Sequence, residues 1–287
     1  MDDLPIPLTQ SEAFEKTCLA IGLPIQRLEE SNGSCLIQTR KFPILGQINL
    51  ISRGPIARDP AVASALLENA RAATRGPLFI NANTKPPGTG CIRLIGGAEL
   101  ALIHLGKPDS MLARMDQKWR NQLRKAERSG LRIANRPLSA DRHKWFLDAE
   151  TKQQRTRGYA SYPAEFLLAY AAVNKGGARL LSAEIHGEPV AAMLMLEHGA
   201  MATYQAGITT ALGRKYCAHN LLLWRMMCDH QSNGGTRLDL GRADLSPGLR
   251  RFKLGSGAEI EHLSGTYWMS PWWTNRMRRA RNVSEAV

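Results

Sequence analysis

Residues 179–207 read RLLSAEI, HGEP, VAAMLMLEH, GA and MATYQAG, and this stretch decides the fold. Three apolar runs alternate with short turns that contain Gly or Pro, which is the pattern of a β-meander. The sequence therefore predicts three consecutive antiparallel strands in this part of the chain.

The chain then continues with CAHNLLLWRMMCDHQSNGGTRLDLGR at residues 217–242 and GLRRFKLGSGAEI at residues 248–260. The apolar residues of the first run lie close to helical spacing and stop at Gly234–Gly235, which predicts a helix followed by a buried strand, TRLDLG. The second run predicts a basic turn that carries Phe252 and Lys253. Three strands, a helix and one more strand indicate an α/β (α+β) fold, and we expect the chemistry where the sheet opens.

The N-terminal part shows the same order of elements, although no sequence repeat is visible. Its patterns predict a helix, three short strands, a second helix and another strand, at residues 11–22, 25–29, 35–40, 47–52, 61–74 and 77–82. A rigid turn, Arg53-Gly54-Pro55-Ile56, follows the third of these strands. We therefore expect a degenerate second copy of the meander, helix and strand.

A basic helix is predicted at residues 110–130, after a strand at residues 98–105. One face of this helix is apolar, and the remaining surface carries six cations against two acidic residues. Two further helices are predicted at residues 143–154 and 162–172. We place a domain boundary near residue 135, which gives domains at residues 1–135 and 136–266 and an aromatic, basic tail at residues 267–287.

Composition indicates an anionic partner. The 287 residues include 38 Lys and Arg against 25 Asp and Glu, so the formal net charge is +13. Such a balance is typical of proteins that bind RNA, phosphorylated small molecules or a membrane surface. The alternative is a basic protein that its charge merely keeps soluble.

Residue types argue for a reducing compartment and against a metal site. The five cysteines form no CxxC pair and the seven histidines show no metal-ligand spacing, so we expect no disulfide framework and no metal. The start, MDDLPIPLTQ, is acidic and lacks an apolar segment typical of signal peptides. We therefore expect a cytoplasmic protein.

The C-terminal tail, YWMSPWWTNRMRRARNVSEAV, combines tryptophans with arginines. A helix from about residue 271 would place Trp and Met beside Arg, as in a peripheral membrane anchor. The alternative, which we favour, is that the aromatic residues pack back on the first domain.

Three signals point to chemistry, whereas the phosphate-binding, hydrolase and kinase motifs are absent from the sequence. The first is the basic segment KWRNQLRKAERSGL at residues 118–131, which can bind phosphates through charge. The second is the lysine of RRFKLG, which can stabilise developing negative charge at a strand end. The third is a helix that starts near Ala218, whose free N–H groups attract anions. The first two features also have plainer interpretations, as a solvated basic face and as a surface hairpin.

Together these segments resemble one family. KWRNQLRKAERSGL, RGPI, NLLLW (residues 220–224) and DLG…GLRRFKLGSGAE (residues 239–259) resemble the FemAB-like branch of the GNAT acyltransferase superfamily, which includes the peptidoglycan-bridge aminoacyltransferases. The resemblance covers most of the chain, up to about Trp268. It implies two tandem GNAT-like domains and transfer of an amino acid from aminoacyl-tRNA to an amine of a peptidoglycan precursor, without acetyl-CoA or a metal.

The resemblance also implies roles for particular residues. Lys253 matches the family lysine at the reacting ester, and Arg251 lies beside it as a substrate-binding candidate. The basic helix motif is matched by four substrate-binding candidates, Lys118, Arg120, Asn121 and Arg124.

The reaction itself requires few groups. An amine that attacks an activated ester needs close approach and stabilisation of the carbonyl oxygen, which Lys253 would supply. Asp239, with Asp244 and Glu184 as alternatives, is the candidate proton acceptor. Tyr204 and Gln205 would line the acceptor site, although a core tyrosine is the plainer interpretation of Tyr204.

Two other functions remain open at this point. The segment LGRKYCAHN lacks the glycine pattern of CoA-binding GNAT enzymes, which argues against acetyl-CoA or acyl-CoA as the donor without excluding it. The first alternative is thus an acyl-CoA-dependent N-acyltransferase that acts on a small metabolite or lipid precursor. The second is a non-catalytic module that binds RNA or a membrane.

Overall fold

A computed structural model describes residues 4–43, 46–87 and 90–269. The described residues divide into two compact units, one formed by residues 4–43, 46–87, 90–98 and 262–269 and the other by residues 99–261. Among the described residues each unit contains a seven-stranded, mostly antiparallel sheet flanked by helices. The predicted α/β (α+β) fold class is confirmed.

The first unit begins with a helix and a meander, as the sequence predicted. Its elements up to residue 98 are α1 (Glu12–Ala20), β1 (Ile25–Glu30), β2 (Gly33–Phe42), β3 (Gly46–Ser52), β4 (Ile56–Ala57), α2 (Pro60–Ala73), β5 (Leu78–Ala82) and β6 (Cys91–Ile95). Helix α2 starts where Asp59 accepts a hydrogen bond from the N–H of Ala61 (2.8 Å) and where Pro60 occupies the first helical position.

The second unit contains the stretch that decides the fold. Its elements are β7 (Glu99–His104), α3 (Pro108–Arg114), α4 (Gln117–Glu127), β8 (Arg132–Pro137), α5 (Ala140–Arg157), α6 (Ala164–Val173), β9 (Ala178–Ile185), β10 (Glu188–His198), β11 (Met201–Thr209), α7 (Ala211–Lys215), α8 (Ala218–Ser232), β12 (Arg237–Arg242), α9 (Pro247–Gly255) and β13 (Glu259–His262). Strand β14 (Gly265–Met269) then returns to the first unit.

Both sheets place their repeated elements in the same way. The order in the first sheet is β1-β2-β3-β5-β14-β6, with β4 paired to β2, and in the second it is β13-β7-β12-β11-β10-β9-β8. In each, a three-stranded meander is joined by a parallel strand that follows a helix, because β3 pairs with β5 and β11 with β12 in parallel. Helices α2 and α8 are the crossovers that such parallel pairing requires.

The core of each unit follows from these patterns. Strand β10 is buried along almost its whole length, as is usual for a central strand whose two faces are covered. Helix α8 supplies the largest helical share of the second core, with Leu222, Leu223, Met226 and Met227 fully or almost fully buried. Leu66 and Leu67 of α2 do the same in the first core.

The structure moves the boundary that we placed near residue 135. Strand β7 pairs antiparallel with β12, for example His104 with Arg237, so residues from Glu99 onward belong to the second unit. Strand β14 inserts between β5 and β6, and therefore Tyr267, Trp268 and Met269 belong to the first sheet rather than to a tail. The remaining tail, residues 270–287, lies outside the described residues. In the described part of the chain, no helix is long and apolar enough to cross a membrane.

Two helical predictions need correction. The single helix expected at residues 110–130 is two helices, because Met115 has an extended backbone (φ −75°, ψ 146°). The predicted apolar face nevertheless holds across the break, since its five residues are all buried: Met111, Met115, Trp119, Leu123 and Ala126. The segment GLRRFKLG, expected as a turn, is helix α9, which Ser246 caps and Pro247 begins.

Candidate active site at the opening between two strands

The sheet of the second unit opens between β11 and β12. These parallel strands pair only from Met201–Arg237 to Thr203–Asp239, although β11 continues to Thr209 and β12 to Arg242. Beyond that point each strand is irregular: Gln205 has no direct partner on β10, and the pairing of β12 with β7 shifts between Asp239 and Arg242. β-Bulges of this kind re-aim side chains and end pairing, which creates an opening in an otherwise continuous sheet.

Lys253 lies at the β12 side of this opening. Helix α9 buries its side chain, which is 4% exposed, and its ammonium donates a hydrogen bond to the carbonyl oxygen of Arg242 (2.7 Å). Desolvation lowers the pKa of Lys253 to about 8, against the opposing attraction of Asp239 and Asp244. At neutral pH the Lys253 side chain is still mostly protonated, but it releases its proton more readily than an ordinary lysine does.

The two aspartates near Lys253 have different surroundings. Asp239 is buried, and one of its carboxylate oxygens accepts a hydrogen bond from the N–H of Gly241 (2.7 Å), so it shapes the irregular end of β12. Asp244 is exposed and forms two hydrogen bonds with the guanidinium of Arg242 (2.9 and 2.8 Å). The bonds from Arg242 lower the pKa of Asp244, which makes it a poorer proton acceptor.

The basic helix α4 packs directly against α9. The indole N–H of Trp119 donates to the carbonyl oxygen of Phe252 (3.1 Å), and the N–H of Asp116 donates to that of Gly255 (3.0 Å). Gly255 permits this approach, because a Cβ at that position would lie 2.9 Å from the Trp119 ring. The two segments that carried the sequence resemblance therefore form one packed unit.

An open groove runs along the C-terminal half of α4. It is lined by Asn121, Arg124, Lys125, Arg128, Ser129 and Tyr216. Two of the four predicted substrate-binding residues of this helix, Asn121 and Arg124, thus line the groove. Lys118 is exposed outside that lining, and Arg120 bonds to the side-chain oxygen of Gln117 (2.7 Å).

Tyr204 and Gln205 form the β11 side of the opening. The extra residue at the bulge turns Tyr204 toward Gly207, where an added Cβ would lie 2.1 Å from the Tyr204 hydroxyl oxygen. Gln205 donates to the hydroxyl of Ser161 (2.9 Å), which ties the strand to the loop between α5 and α6. The Tyr204 hydroxyl can therefore occupy this position only because residue 207 has no side chain.

A buried carboxylate, which the sequence analysis missed, supports this side. Glu150 on α5 is 3% exposed and accepts hydrogen bonds from the hydroxyl of Tyr159 (2.9 Å) and the amide of Gln153 (3.2 Å). The same amide lies 3.1 Å from the carbonyl oxygen of Gly207. Burial raises the pKa of Glu150. A signal existed, because Phe146, Leu147 and Glu150 lie on one face of a helix at spacings of three and four residues.

His219, also missed by the sequence analysis, spans the two sides. It lies in the first turn of α8, its Nε2 is 2.8 Å from the carbonyl oxygen of Ile208 on β11, and its ring centroid is 6.3 Å from that of Phe252. Burial lowers the pKa of His219. A neutral ring that donates to Ile208 matches this environment.

Two of the candidate site residues named from the sequence do not lie at the opening. Glu184 lies on β9, which is separated from β11 by β10, so the strand spacing places it about 10 Å to the side. Arg251 is exposed on α9, whereas Lys253, two residues later, points inward. The Arg53-Gly54-Pro55 turn lies in the first unit.

Comparison with known proteins identifies the second unit. Residues 113–255, from α3 to the end of α9, match the family model of the acetyltransferase (GNAT) domain. This segment is a GNAT acetyltransferase domain. It contains the basic helix, both strands of the opening and Lys253, so the chain is an acyltransferase, as the resemblance implied.

Solved GNAT-like structures share the fold of the whole chain. The crystal structure of FemX has a TM-score of 0.77 at 14% identity, and the match covers 93% of this chain and 93% of the FemX chain. The C-terminal domain of an Agrobacterium fabrum protein, assigned as a lysylphosphatidylglycerol synthetase, has a TM-score of 0.57 at 14% identity, covering 97% and 93%. A tandem GNAT protein from the clavulanic acid pathway reaches 0.52 at 13% identity, covering 86% and 83%. No curated protein matches the sequence.

Proposed function

We propose that this GNAT acyltransferase moves an aminoacyl group from aminoacyl-tRNA to an amine acceptor such as a peptidoglycan precursor. The observation that carries the proposal is the packing of α4 on α9. The Trp119–Phe252 hydrogen bond joins a helix rich in cations to the helix that holds the buried lysine. A polyanionic donor bound along α4 would therefore have a defined position relative to Lys253.

In this proposal the donor binds to the groove along α4 mainly through the positive charge of that groove. Arg124, Lys125 and Arg128 line the groove beside Tyr216, and the formal charge of the whole chain is +13. Cations of this kind bind the phosphates of RNA without reading its sequence, and a tyrosine offers a stacking surface. FemX and the lysylphosphatidylglycerol synthetase-like domain share the fold of this chain.

The chemistry needs no covalent enzyme intermediate. The acceptor amine forms a bond to the ester carbonyl carbon, and the bond from that carbon to the tRNA ribose oxygen breaks, which leaves an amide and a free hydroxyl. The Lys253 ammonium stabilises the negative charge on the carbonyl oxygen. With a pKa of about 8, it can also give its proton to the departing ribose oxygen and regain one from the ammonium of the attacking amine.

The acceptor side is assigned to the bulged strand. In this proposal Tyr204 and Gln205 contact the amine-bearing substrate, and Glu150 holds their strand through Gln153. Asp239 accepts the amine proton directly or orients Lys253 through the end of β12. Its existing bond to the N–H of Gly241 favours the orienting role.

The experiment that tests the donor compares binding and transfer. Arg124→Gln/Lys125→Gln removes two groove cations, and Arg142→Gln/Lys175→Gln removes two exposed cations outside the groove. We expect the groove variant to bind tRNA about tenfold more weakly, with a salt slope reduced by about 1–2, and the control to bind like the unchanged protein.

Transfer is then measured with radiolabelled aminoacyl-tRNA and an amine-bearing peptidoglycan precursor, and in parallel with acetyl-CoA and a panel of amines. Product from the tRNA donor supports the proposal. Product from acetyl-CoA alone, with tRNA binding equal in both variants, overturns it in favour of an acyl-CoA-dependent N-acyltransferase.

A further inference from the structure

One face of the first sheet presents a row of apolar side chains. Leu50 on β3 pairs with Phe79 on β5. Trp268 on β14 pairs with Phe79 on one side and with Ile92 of β6 on the other. Residues paired across neighbouring strands point to the same side of a sheet, so the four side chains form one continuous row. Three of them are only half-buried, and Ile92 is 51% exposed.

This row lies on the side of the sheet opposite α2. Ile80 and Tyr267, the neighbours of Phe79 and Trp268 along their strands, are buried in the core that Leu66 of α2 helps to form. Because successive side chains of a strand point to opposite faces, Phe79 and Trp268 point away from that core. The sheet therefore has one well-buried face and one face on which large apolar side chains still contact solvent.

Strand β6 adds an apolar edge to this face. Among the described residues it is the last strand of its sheet and is paired on one side only. Ile92, Leu94 and Ile95 are 51%, 53% and 63% exposed. Edge strands are normally covered, charged or very short, because an open apolar edge pairs with other chains. Contiguous exposed apolar surface of this kind indicates a site at which another segment or molecule binds.

The C-terminal tail starts beside this surface. Strand β14 ends at Met269, which pairs with Cys91 at the start of β6. Crossing from β14 to the far side of β6 takes two strand spacings, about 10 Å, which three extended residues can span. Trp272 and Trp273 follow Met269 by three and four residues, so both tryptophans are within reach of Ile92.

The sequence of the tail, SPWWTNRMRRAR at residues 270–281, matches such a surface. Its first two residues repeat the Ser-Pro pair that begins α9, where Ser246 caps the helix. At helical spacing Trp273, Met277 and Ala280 share one side, and the four arginines lie beside or opposite that side. The pattern therefore predicts a helix with the apolar side that packing on a sheet requires.

We propose that residues 271–281 form an amphipathic helix that covers the apolar face of Phe79, Trp268 and Ile92. The arginines of this helix then remain in water, while its tryptophans bury the row that the described strands leave open. A tethered segment has an effective concentration on the order of millimolar, far above that of a second copy in dilute solution, which favours the tail as the occupant. The proposal does not depend on the transfer reaction of the second unit.

The test compares two double variants of the full chain. Trp272→Ser/Trp273→Ser removes the apolar contacts, and the control, Arg278→Gln/Arg279→Gln, changes two residues on the water side. We expect hydrogen exchange of the β6 amides to become about tenfold faster in the tryptophan variant, because opening of β6 no longer has to displace the tail. Tm should fall by about 4–8 °C in this variant. Both quantities should stay unchanged in the arginine variant.

A third variant tests the face itself. Ile92→Thr removes exposed apolar surface from β6 but keeps a branched side chain that strands accept. If the tail packs on Ile92, combining this change with the tryptophan variant should lower Tm by clearly less than the sum of the two separate losses. Full additivity would mean that the tail packs elsewhere and would overturn the proposal.

Three further results would overturn it. Equal effects in the two tail variants, or no effect in either, would mean that the tryptophans do not cover β6. A concentration-dependent dimer in sedimentation experiments that Ile92→Thr abolishes would identify a second copy as the occupant. Flotation with phosphatidylglycerol vesicles that the tryptophan variant loses, with hydrogen exchange of β6 unchanged in the absence of lipid, would identify a membrane surface. Each of these outcomes leaves the tRNA and transfer assays of the second unit untouched.

Discussion

The two units contain the same order of meander, helix and parallel strand, but the parallel strands stay paired to a different extent in each. In the first unit, β3 and β5 stay paired from Asn49–Leu78 to Ser52–Asn81, and the N–H of Arg53 extends the contact to Asn81. In the second, pairing of β11 and β12 ends at Thr203–Asp239, six residues before β11 ends at Thr209. The first pair therefore stays paired to the end of β3, whereas the second separates before β11 ends.

The difference arises from local irregularities, not from the topology. The open pair, β11 and β12, has a bulge on each strand, at Gln205 and between Asp239 and Arg242. Glycine occupies both irregular ends, and Gly241 has φ +72°, which favours glycine. A duplicated architecture thus becomes a site where two strands separate and a buried cation is placed beside the gap.

The largest effect should come from removing the cation of the open pair. Lys253→Met keeps the length and apolar stem of the side chain but removes its charge, so we expect kcat for acyl transfer to fall about 10²–10³-fold. Single-turnover transfer assays measure this loss.

The matched control for Lys253→Met is Arg251→Met on the exposed side of the same helix, which should change kcat less than about threefold. If Lys253→Met retained most of the activity, the open pair would not be where charge develops in the reaction.

The next effect comes from filling the opening. Gly207→Ala would place a Cβ 2.1 Å from the Tyr204 hydroxyl oxygen and so displace that side chain. Because the tip of a tyrosine can swing away, we expect a folded protein with transfer reduced about tenfold. Gly248→Ala, whose Cβ meets nothing within 4 Å, is the control and should retain full activity.

A double variant tests the route of that effect. If Gly207→Ala acts through Tyr204, then adding it to Tyr204→Phe should cost much less than the sum of the two changes. Full additivity would mean that the alanine disturbs something else on β11.

The contrast also marks how far the sequence could predict the structure. The periodicity of residues 178–242 predicted the meander, helix α8 and strand β12, because buried strands and helices carry their own apolar patterns. Helix α9 was missed because GLRRFKLG was interpreted as a basic turn. Ser246 followed by Pro247 was the available signal, since Pro is favoured at the first position of a helix.

Other features depended on pairing between distant segments, which no local pattern reports. The boundary prediction near residue 135 was wrong because β7 pairs with β12, more than a hundred residues later in the chain. The position of the opening depends on where strand pairing stops, which the sequence does not reveal. The sequence analysis named Lys253, Tyr204 and Gln205 as candidate site residues but did not name Glu150. A carboxylate on an apolar helix face reveals its role only when Gln153 and Tyr159 are seen beside it.

The buried cation beside the open pair should also cost stability. The pKa of Lys253 is lowered from its ordinary range to about 8, so the folded state binds this proton more weakly than the unfolded chain does. Lys253→Met should therefore raise the free energy of unfolding by about 1–3 kcal/mol at pH 7, after allowing for the lost bond to Arg242.

The pH dependence of that gain follows from the sign of the shift. Below pH 8 both states hold the proton and the penalty is complete, whereas between pH 8 and about 10.4 only the unfolded chain keeps it and the penalty disappears. Urea unfolding of both proteins at pH 7 and pH 10 measures this. A gain that stayed constant with pH would show that the methionine stabilises by packing rather than by removing a buried charge.

Glu150→Gln should give a smaller and opposite pH pattern. Burial raises the pKa of Glu150, so its charged form is penalised in the folded state. The variant should match the unchanged protein in stability near pH 4, below the unfolded-state pKa, and exceed it at neutral pH. Transfer should fall severalfold, because an amide in place of the carboxylate changes the bonds of Gln153, which holds Gly207. Equal stability gains at both pH values would contradict this account.

The smallest expected effect compares the two helices that follow the meanders. Asp59 caps α2 with a hydrogen bond to the N–H of Ala61, whereas Cys217 precedes α8 with φ +55° and no side-chain cap. Asp59→Ala should therefore cost about 1 kcal/mol of unfolding free energy, and Cys217→Ala should cost clearly less, because it removes only a small, partly buried thiol. Paired urea titrations decide the matter. Equal losses of unfolding free energy in the two variants would mean that α8 depends on its first residues as much as α2 does. A smaller loss in Cys217→Ala would show that α8 is stabilised by its buried face and leaves its N-terminal N–H groups uncapped.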